Sequence, residues 1–278
     1  MTANRLLALG WGLAFAGGLA LLSAACDPPG TGADGNAVPA ATALHPACCT
    51  PWFESGAAEV SLPECRAADG RLEGLETGFT VFTPESGEDG LPPGYTAARA
   101  LGRLADGREA HWVVHSGGGT GQFSSVLAVT VDGDTLRIIA ALPIGDRANG
   151  GIVNAAVDAG VLTVERSLTP FDLAALLYQA WGGSDDRPFG LRAYDDLPAC
   201  AVCRMADAAY RVSADFDQQL QGVRVDAEGL AALDGFRTAP PFDCLFGFAT
   251  AELGLDWISA DRLAEMAAAY RSRCIAGG

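Results

Sequence analysis

Lysine is missing from the chain altogether. That absence excludes a P-loop lysine, a Schiff base to a carbonyl cofactor and a Ser-Lys dyad, each of which needs a primary amine at its centre. Histidine is nearly missing too: there are 3, His45, His111 and His115. A Ser-His-Asp or Cys-His mechanism therefore has only these bases to draw on. None stands beside a recognisable nucleophile motif, and there is no G-x-S-x-G elbow. Basic charge is scarce overall, with 18 Arg against 34 Asp plus Glu and a net charge of −16. Nucleic acid is excluded as a partner, because binding it relies on neutralising phosphates with basic side chains. After residue 25 no apolar run approaches the ~20 residues that span a bilayer.

The one long apolar run is at the start. Arg5 is the only charge before Asp27, and Leu6 to Leu22 is almost unbroken in its hydrophobicity. Ser23-Ala24-Ala25 supplies a small-residue exit directly before Cys26. A basic start, an apolar middle and small residues at the end read as a secretory signal over 1–25. The polar stretch beginning Asp27-Pro28-Pro29-Gly30 reads as a flexible tether over 26–45. Cys26 resembles the lipidated cysteine of bacterial lipoproteins, although Ser23 stands where those carry an aliphatic residue. Lipid at Cys26 anchors the chain in the membrane of the bacterial envelope. Ordinary signal peptidase acting at Ser23 and Ala25 releases a soluble exported protein instead.

Eight cysteines in an exported chain argue for disulfides. If Cys26 carries lipid, seven remain: Cys48, Cys49, Cys65, Cys200, Cys203, Cys244 and Cys274. One of these is then unpaired; without lipid, all eight can pair. Adjacent Cys48 and Cys49 are expected to pair with different partners, since a vicinal ring is strained. Cys200-Ala201-Val202-Cys203 has the spacing of a redox motif or half a zinc site. The antiparallel context and the oxidising compartment favour a disulfide, and no metal or cofactor is expected. Cys244 opens an apolar segment, and Cys274 closes the apolar face of the last helix. A helical hairpin brings the two together; the competing pattern joins Cys274 to Cys48 or Cys49.

The fold class expected is α+β: an antiparallel meander of about six to eight strands, sandwich- or barrel-like, with a packed helix and a disulfide-stapled C-terminal helical hairpin. Strands are expected at 96–104, 109–115, 122–131, 135–142, 151–157 and 161–168, separated by turn signals such as Asp106-Gly107 and Asp132-Gly133. Leu136, Ile138, Ala140 and Leu142 are expected to share one strand face. Thr169, Pro170 and Asp172 read as the start of a helix whose stripe is Leu173, Leu176, Leu177, Ala180 and Trp181. A further strand pair is expected at 207–214 and 219–226. The β-rich domain is placed at 46–240 and the C-terminal helical segment at 241–278.

Two polar stretches stand out on this scaffold. His115-Ser116 leads into Gly117-Gly118-Gly119, and Gly145-Asp146-Arg147 precedes Asn149-Gly150-Gly151. Loops on a rigid sheet often carry function, so His115, Ser116, Gly145, Asp146, Arg147 and Asn149 form the candidate ligand loop. No catalytic residue is assigned. His111 and His115 lie four apart, about 13 Å on a strand, too far to share one ion.

The same stretches, with Leu168-Thr169-Pro170-Phe171-Asp172 and Tyr194-Asp195-Asp196-Leu197-Pro198-Ala199-Cys200, resemble uncharacterised bacterial exported proteins and lipoproteins. Pro241-Phe242-Asp243-Cys244 and the helix from Leu263 to Tyr270 resemble the C-terminal hairpin of lysozyme-inhibitor-like lipoproteins. The functional expectation is a non-catalytic envelope domain that binds a ligand or a protein partner. Its alternatives are an inhibitor of a basic hydrolase such as lysozyme, which the acidity would suit, and a secreted hydrolase. A pocket holding His111 or His115 beside Ser116 and an acid would mark the hydrolase.

Overall fold

The computed structural model describes residues 43–85, 93–183, 188–190, 192–200, 202–236 and 240–275. The expected export signal over 1–25, Cys26 and most of the expected tether lie outside the described residues. Thirteen antiparallel strands among the described residues form two sheets. The first holds β1 (Glu59–Ser61), β2 (Gly70–Gly74), β3 (Thr80–Pro84), β4 (Tyr95–Arg103), β5 (Glu109–Ser116), β6 (Phe123–Asp132), β7 (Thr135–Ala141) and the short β8 (Gly145–Asp146). Its order is β1-β7-β6-β5-β4-β3-β2, with β8 pairing β6. The second holds β9 (Ile152–Asp158), β10 (Val161–Leu168), β11 (Ala206–Val212), β12 (Gln218–Val225) and β13 (Ile258–Ser259), in the order β13-β12-β11-β10-β9.

The expected meander is thus two meanders, and the chain changes sheet between β7 and β9. Trp112, Val126 and Leu142 from the first sheet meet Ile152, Leu162 and Val164 from the second in a shared core. This is the sandwich form of the expected architecture, and each sheet is buried on its outer face as well.

Two short helices, α1 (Thr50–Ser55) and α2 (Leu62–Arg66), cover the outer face of the first sheet. Cys48, Cys49, Val60 and Leu62 pack there on Val113, Leu127 and Leu136. Residues on β5 alternate as a period of two dictates: Ala110 and Trp112 face the second sheet, while Val113 faces the helices. The expected common face along β7 breaks. Leu136 and Ile138 enter the outer core, but Ala140 and Leu142 enter the core between the sheets. The register slips there, with Ala128 opposite Ala140 but Val129 opposite Ile138. Ile139 is the extra residue of this β-bulge and is exposed.

Four longer helices cover the second sheet: α3 (Pro170–Ala180), α4 (Ala227–Leu233), α5 (Pro240–Phe248) and α6 (Ala260–Tyr270). The start of α3 is a capping box. The Asp172 N–H donates to Thr169 Oγ1 at 3.2 Å, and the Thr169 N–H donates back to Asp172 Oδ2 at 3.0 Å. Leu173 and Leu177 of α3, Leu245 and Phe248 of α5, and Leu263 and Tyr270 of α6 share one core with Ala208 and Val223 of the sheet. At its centre the buried hydroxyls of Tyr194 and Tyr270 bond each other at 2.6 Å, so neither is left without a partner.

Three disulfides form: Cys48–Cys65, Cys200–Cys203 and Cys244–Cys274. The hairpin geometry expected of Cys244 and Cys274 is present, so Cys274 does not staple the chain ends. The expected pairing of Cys49 does not occur. Cys49 is a free thiol, fully buried between α1 and the sheet, and burial pushes its pKa up to about 12. A thiol held protonated is a poor nucleophile for disulfide exchange.

Candidate functional site: two clefts on opposite faces of one sheet

The residues of the candidate loop do not converge; the structure divides them between different surfaces. His115 faces the outer side of the first sheet, where it lines a cleft of about 540 Å³ under α1. Its Nδ1 bonds Thr96 Oγ1 at 3.0 Å, and Thr96 Oγ1 bonds Thr50 Oγ1 at 2.8 Å. Phe53 of α1 stacks on the imidazole, with ring centroids 5.1 Å apart and planes 19° from parallel. The ring is thereby fixed in place and orientation by two neighbouring elements. Burial lowers the pKa of His115, and the nearby Glu54 carboxylate opposes that shift only in part.

This cleft holds a histidine, an acid and Ser116, which is the arrangement expected of a hydrolase. The details do not supply a nucleophile. Ser116 follows His115 on β5, where successive side chains alternate between faces, and no hydrogen bond among the described residues joins its hydroxyl to the imidazole. The hydroxyl that does touch the imidazole belongs to Thr96, which is buried and already engaged with Thr50. Gly117 and Gly119 have open space around them, so the glycine run after Ser116 is a wide turn.

Gly145 and Asp146 form β8, and their part is to shape the loop that follows. Asp146 and Asn149 exchange backbone hydrogen bonds, N–H to carbonyl, at 3.0 and 2.6 Å, closing a tight turn over Arg147 and Ala148. The Arg147 N–H donates to the Gln122 carbonyl at 3.2 Å, and the Gly150 N–H donates to the Ser167 carbonyl at 3.0 Å. The turn is therefore tied to both sheets. The Asn149 side chain donates to the Ala199 carbonyl at 3.4 Å, and Asn149 lines a small surface groove with Arg166 and Asp172 beside α3.

Arg147 instead lines a second cleft, of about 450 Å³, that opens between the two sheets. Phe79, Trp112, Val114 and Ile152 give it apolar walls, and Arg204 joins Arg147 in the lining. Arg204 is held by the carboxylates of Asp207, at 2.7 and 3.0 Å, and Asp226, at 2.8 Å. Burial works against its charge, but these two acids outweigh it and keep its pKa above the ordinary value. The pairing uses Nε and Nη2, so Nη1 has no partner among the described residues. Arg147 has one weak contact, Nε to Asp146 Oδ1 at 3.5 Å, and its Nη atoms have no partner among the described residues. The indole N–H of Trp112 is buried without an acceptor.

The sequence singled out Arg147 but not Trp112, Phe79 or Arg204, since nothing local marks a strand residue such as Trp112, or the residues flanking strands, as part of a cleft. Cys200 and Cys203 are bridged to each other beside this cleft, with Val202 and Arg204 of that segment in its wall. Among the described residues no group of His, Cys, Asp and Glu is arranged to hold a metal ion.

The histidines also set an expectation for acid. Burial lowers the pKa of His45, His111 and His115 alike, and His111 is only 1 % exposed. A folded-state pKa below the unfolded value of 6.5 means the unfolded chain binds more protons in that range. Stability is then fully present above pH 6.5 and is lost as the pH falls through it toward the depressed folded values. Urea unfolding at pH 7.5 and 5.5 is expected to show lower stability at the acid pH, and His111→Gln to flatten the difference. Equal slopes in the two proteins would assign the effect to other groups.

Comparison with protein-family models, with curated proteins and with solved structures gives no match, so the case for function rests on these two clefts.

Proposed function

We propose that the protein is an exported, envelope-tethered and non-catalytic binding domain whose ligand site is the cleft between its two sheets. One observation carries this reading. In a chain with 34 acidic residues, that cleft has two arginines and no carboxylate in its wall, and both arginines have donors to spare. Its volume lies in the range of small-molecule sites, about 300–1,000 Å³. The histidine cleft supports a structural role, since its imidazole and both threonine hydroxyls are occupied in joining α1 to the sheet.

Three disulfides support export, because such bonds persist in oxidising compartments. The cysteine count supports the lipid anchor. Six cysteines of the folded body pair among themselves and the seventh is a buried thiol, so the body leaves Cys26 available for lipid. The polar start of the mature chain then acts as a spacer from the membrane surface. Among the described residues no helix is long and apolar enough to cross a membrane.

The test uses the mature protein purified from membranes in detergent. Metabolic labelling with palmitate is expected to mark the wild type and to vanish in Cys26→Ser. An ester, glycoside and peptide substrate panel is expected to show no turnover above heat-denatured protein. Turnover lost in His115→Ala but kept in Arg147→Asn would replace the binding domain with a hydrolase. Unlabelled soluble protein would remove the anchor and leave the binding domain standing.

A further inference from the structure

The ligand class of the cleft between the sheets follows from its donors and walls. This inference rests on reading that cleft as the binding site. We propose that it takes a small amphipathic monoanion, a flat apolar body bearing a single carboxylate or similar group.

The negative charge is called for by the polar atoms on the wall. Arg147 offers its Nη atoms and Arg204 its Nη1, and Trp112 carries a buried indole N–H with no acceptor. These are donors; of the other polar side chains in the wall, Gln122 donates its amide to Tyr95 Oη and Ser124 Oγ accepts from the Ile152 N–H. An arginine that meets a carboxylate gains a charge-assisted hydrogen bond, which is stronger than one between neutral groups. A cation would face two guanidinium groups with no carboxylate on the wall to offset them.

Charge balance limits the ligand to one negative group. Behind the wall stand Asp146, Asp207 and Asp226, which largely neutralise the two arginines from the far side. Arg224 adds one further positive charge, which it shares with Asp207 and Glu165. These three arginines and four acids leave no net positive charge to hold a triphosphate or another polyanion, so a single anionic group is held by the free Nη donors themselves. The whole chain is also strongly acidic, so attraction has to be local, over distances shorter than the ~8 Å screening length at physiological salt.

The flat apolar body is called for by the remaining walls. Phe79 and Trp112 meet edge to face, with centroids 5.1 Å apart, and Val114 and Ile152 continue the apolar surface between the sheets. Arg99 is stacked over both rings, at 5.2 Å from the centroid of Phe79 and 4.8 Å from that of Trp112. It also donates to the Ala155 carbonyl at 3.1 Å. The aromatic wall is thus buttressed from behind and held rigid before any ligand arrives, which lowers the ordering cost of binding.

Calorimetric titration with three probes of one shape tests the proposal: 2-naphthoate, its uncharged amide 2-naphthamide, and 2-naphthylmethylammonium. The mature protein is expected to bind the carboxylate at least about tenfold more tightly than the amide, with no measurable binding of the ammonium. Arg147→Asn is expected to weaken the carboxylate far more than the amide, so that the two bind within about twofold of each other. Asn suits the positive φ of 25° at that position, and circular dichroism checks that the fold is kept. Val202→Glu, at a residue 71 % exposed on the rim, is expected to weaken the carboxylate selectively without burdening the core. If amide and carboxylate compete for one site with equal affinity, or the ammonium binds tightest, the cleft remains a binding site and the anion proposal falls. If no probe binds at millimolar concentration, the cleft is not a small-molecule site, and the functional reading falls with it.

Discussion

Replacing Cys244 and Cys274 with serine is expected to destabilise the protein by about 3–4 kcal/mol. The bridge joins residues with a sequence separation of 30. Closing a loop of that length removes entropy from the unfolded chain that corresponds to about 3–4 kcal/mol in the chain-entropy model. The bridge ties Cys244, in the second turn of α5, to the turn that prolongs α6, Arg271–Ile275. Both helices contribute to one core on the second sheet, so the loss is expected to appear as a single cooperative transition at lower denaturant. Equilibrium urea unfolding of the double variant, monitored by fluorescence and by circular dichroism, measures it. Cys200–Cys203, with a separation of only 3, is expected to contribute less by the same reasoning. If the two double variants lose equal stability, chain entropy is not the source of the effect. If the helical signal melts before the sheet signal, the helices form a separate unit.

The strands from Tyr95 to Leu168 were legible because their turns are marked by Asp-Gly and Ala-Gly pairs and their lengths are regular. What that pattern concealed was the change of sheet. Both sheets are covered on both faces, so core residues occur at even and odd positions alike, as Trp112 and Val113 show. Alternation then cannot report which face belongs to which layer. The bulge at Ile139 shows the same limit at one residue: Leu136 and Leu142 look equivalent in sequence but enter different cores. The segment 46–85 yielded no expected strand, since β1 to β3 are short and two of them border turns rich in Gly and charged residues. The cysteines were legible where local structure brought them together, as for Cys244 and Cys274. Cys49 was not, because nothing in its spacing distinguishes a buried thiol from its bridged neighbour Cys48. The candidate loop was legible in outline through Arg147. The cleft it lines was not, since Phe79, Trp112 and Arg204 come from three distant parts of the chain and meet only once the sheets pack.

The two glycine-containing stretches are expected to respond in opposite ways to the same substitution. At Gly145 an added Cβ would lie 2.0 Å from the carbonyl oxygen of Gly150, 2.1 Å from its carbon and 2.5 Å from the nitrogen of Gly151. All three are backbone atoms, so no side-chain rotation relieves the clash. Either β8 separates from β6, losing the pairs Phe123 with Asp146 and Ser124 with Gly145, or the turn over Arg147 and Ala148 is pushed outward. The second course breaks the bonds that tie that turn to Gln122 and Ser167. Gly145→Ala is therefore expected to cost about 2–3 kcal/mol, at the upper end for overpacking. It is also expected to abolish the preference of the cleft for a carboxylate, because Arg147 is no longer held against its wall. At Gly117 an added Cβ meets nothing within 4 Å. Gly117→Ala is expected to change stability by less than about 0.5 kcal/mol, as for a surface substitution that breaks nothing, and to leave probe binding as it was. Urea unfolding and naphthoate titration of both variants make the comparison. A Gly145→Ala protein of full stability that still prefers naphthoate to naphthamide would show that the turn is not what positions Arg147. A Gly117→Ala protein with altered naphthoate binding would move the site toward the histidine cleft.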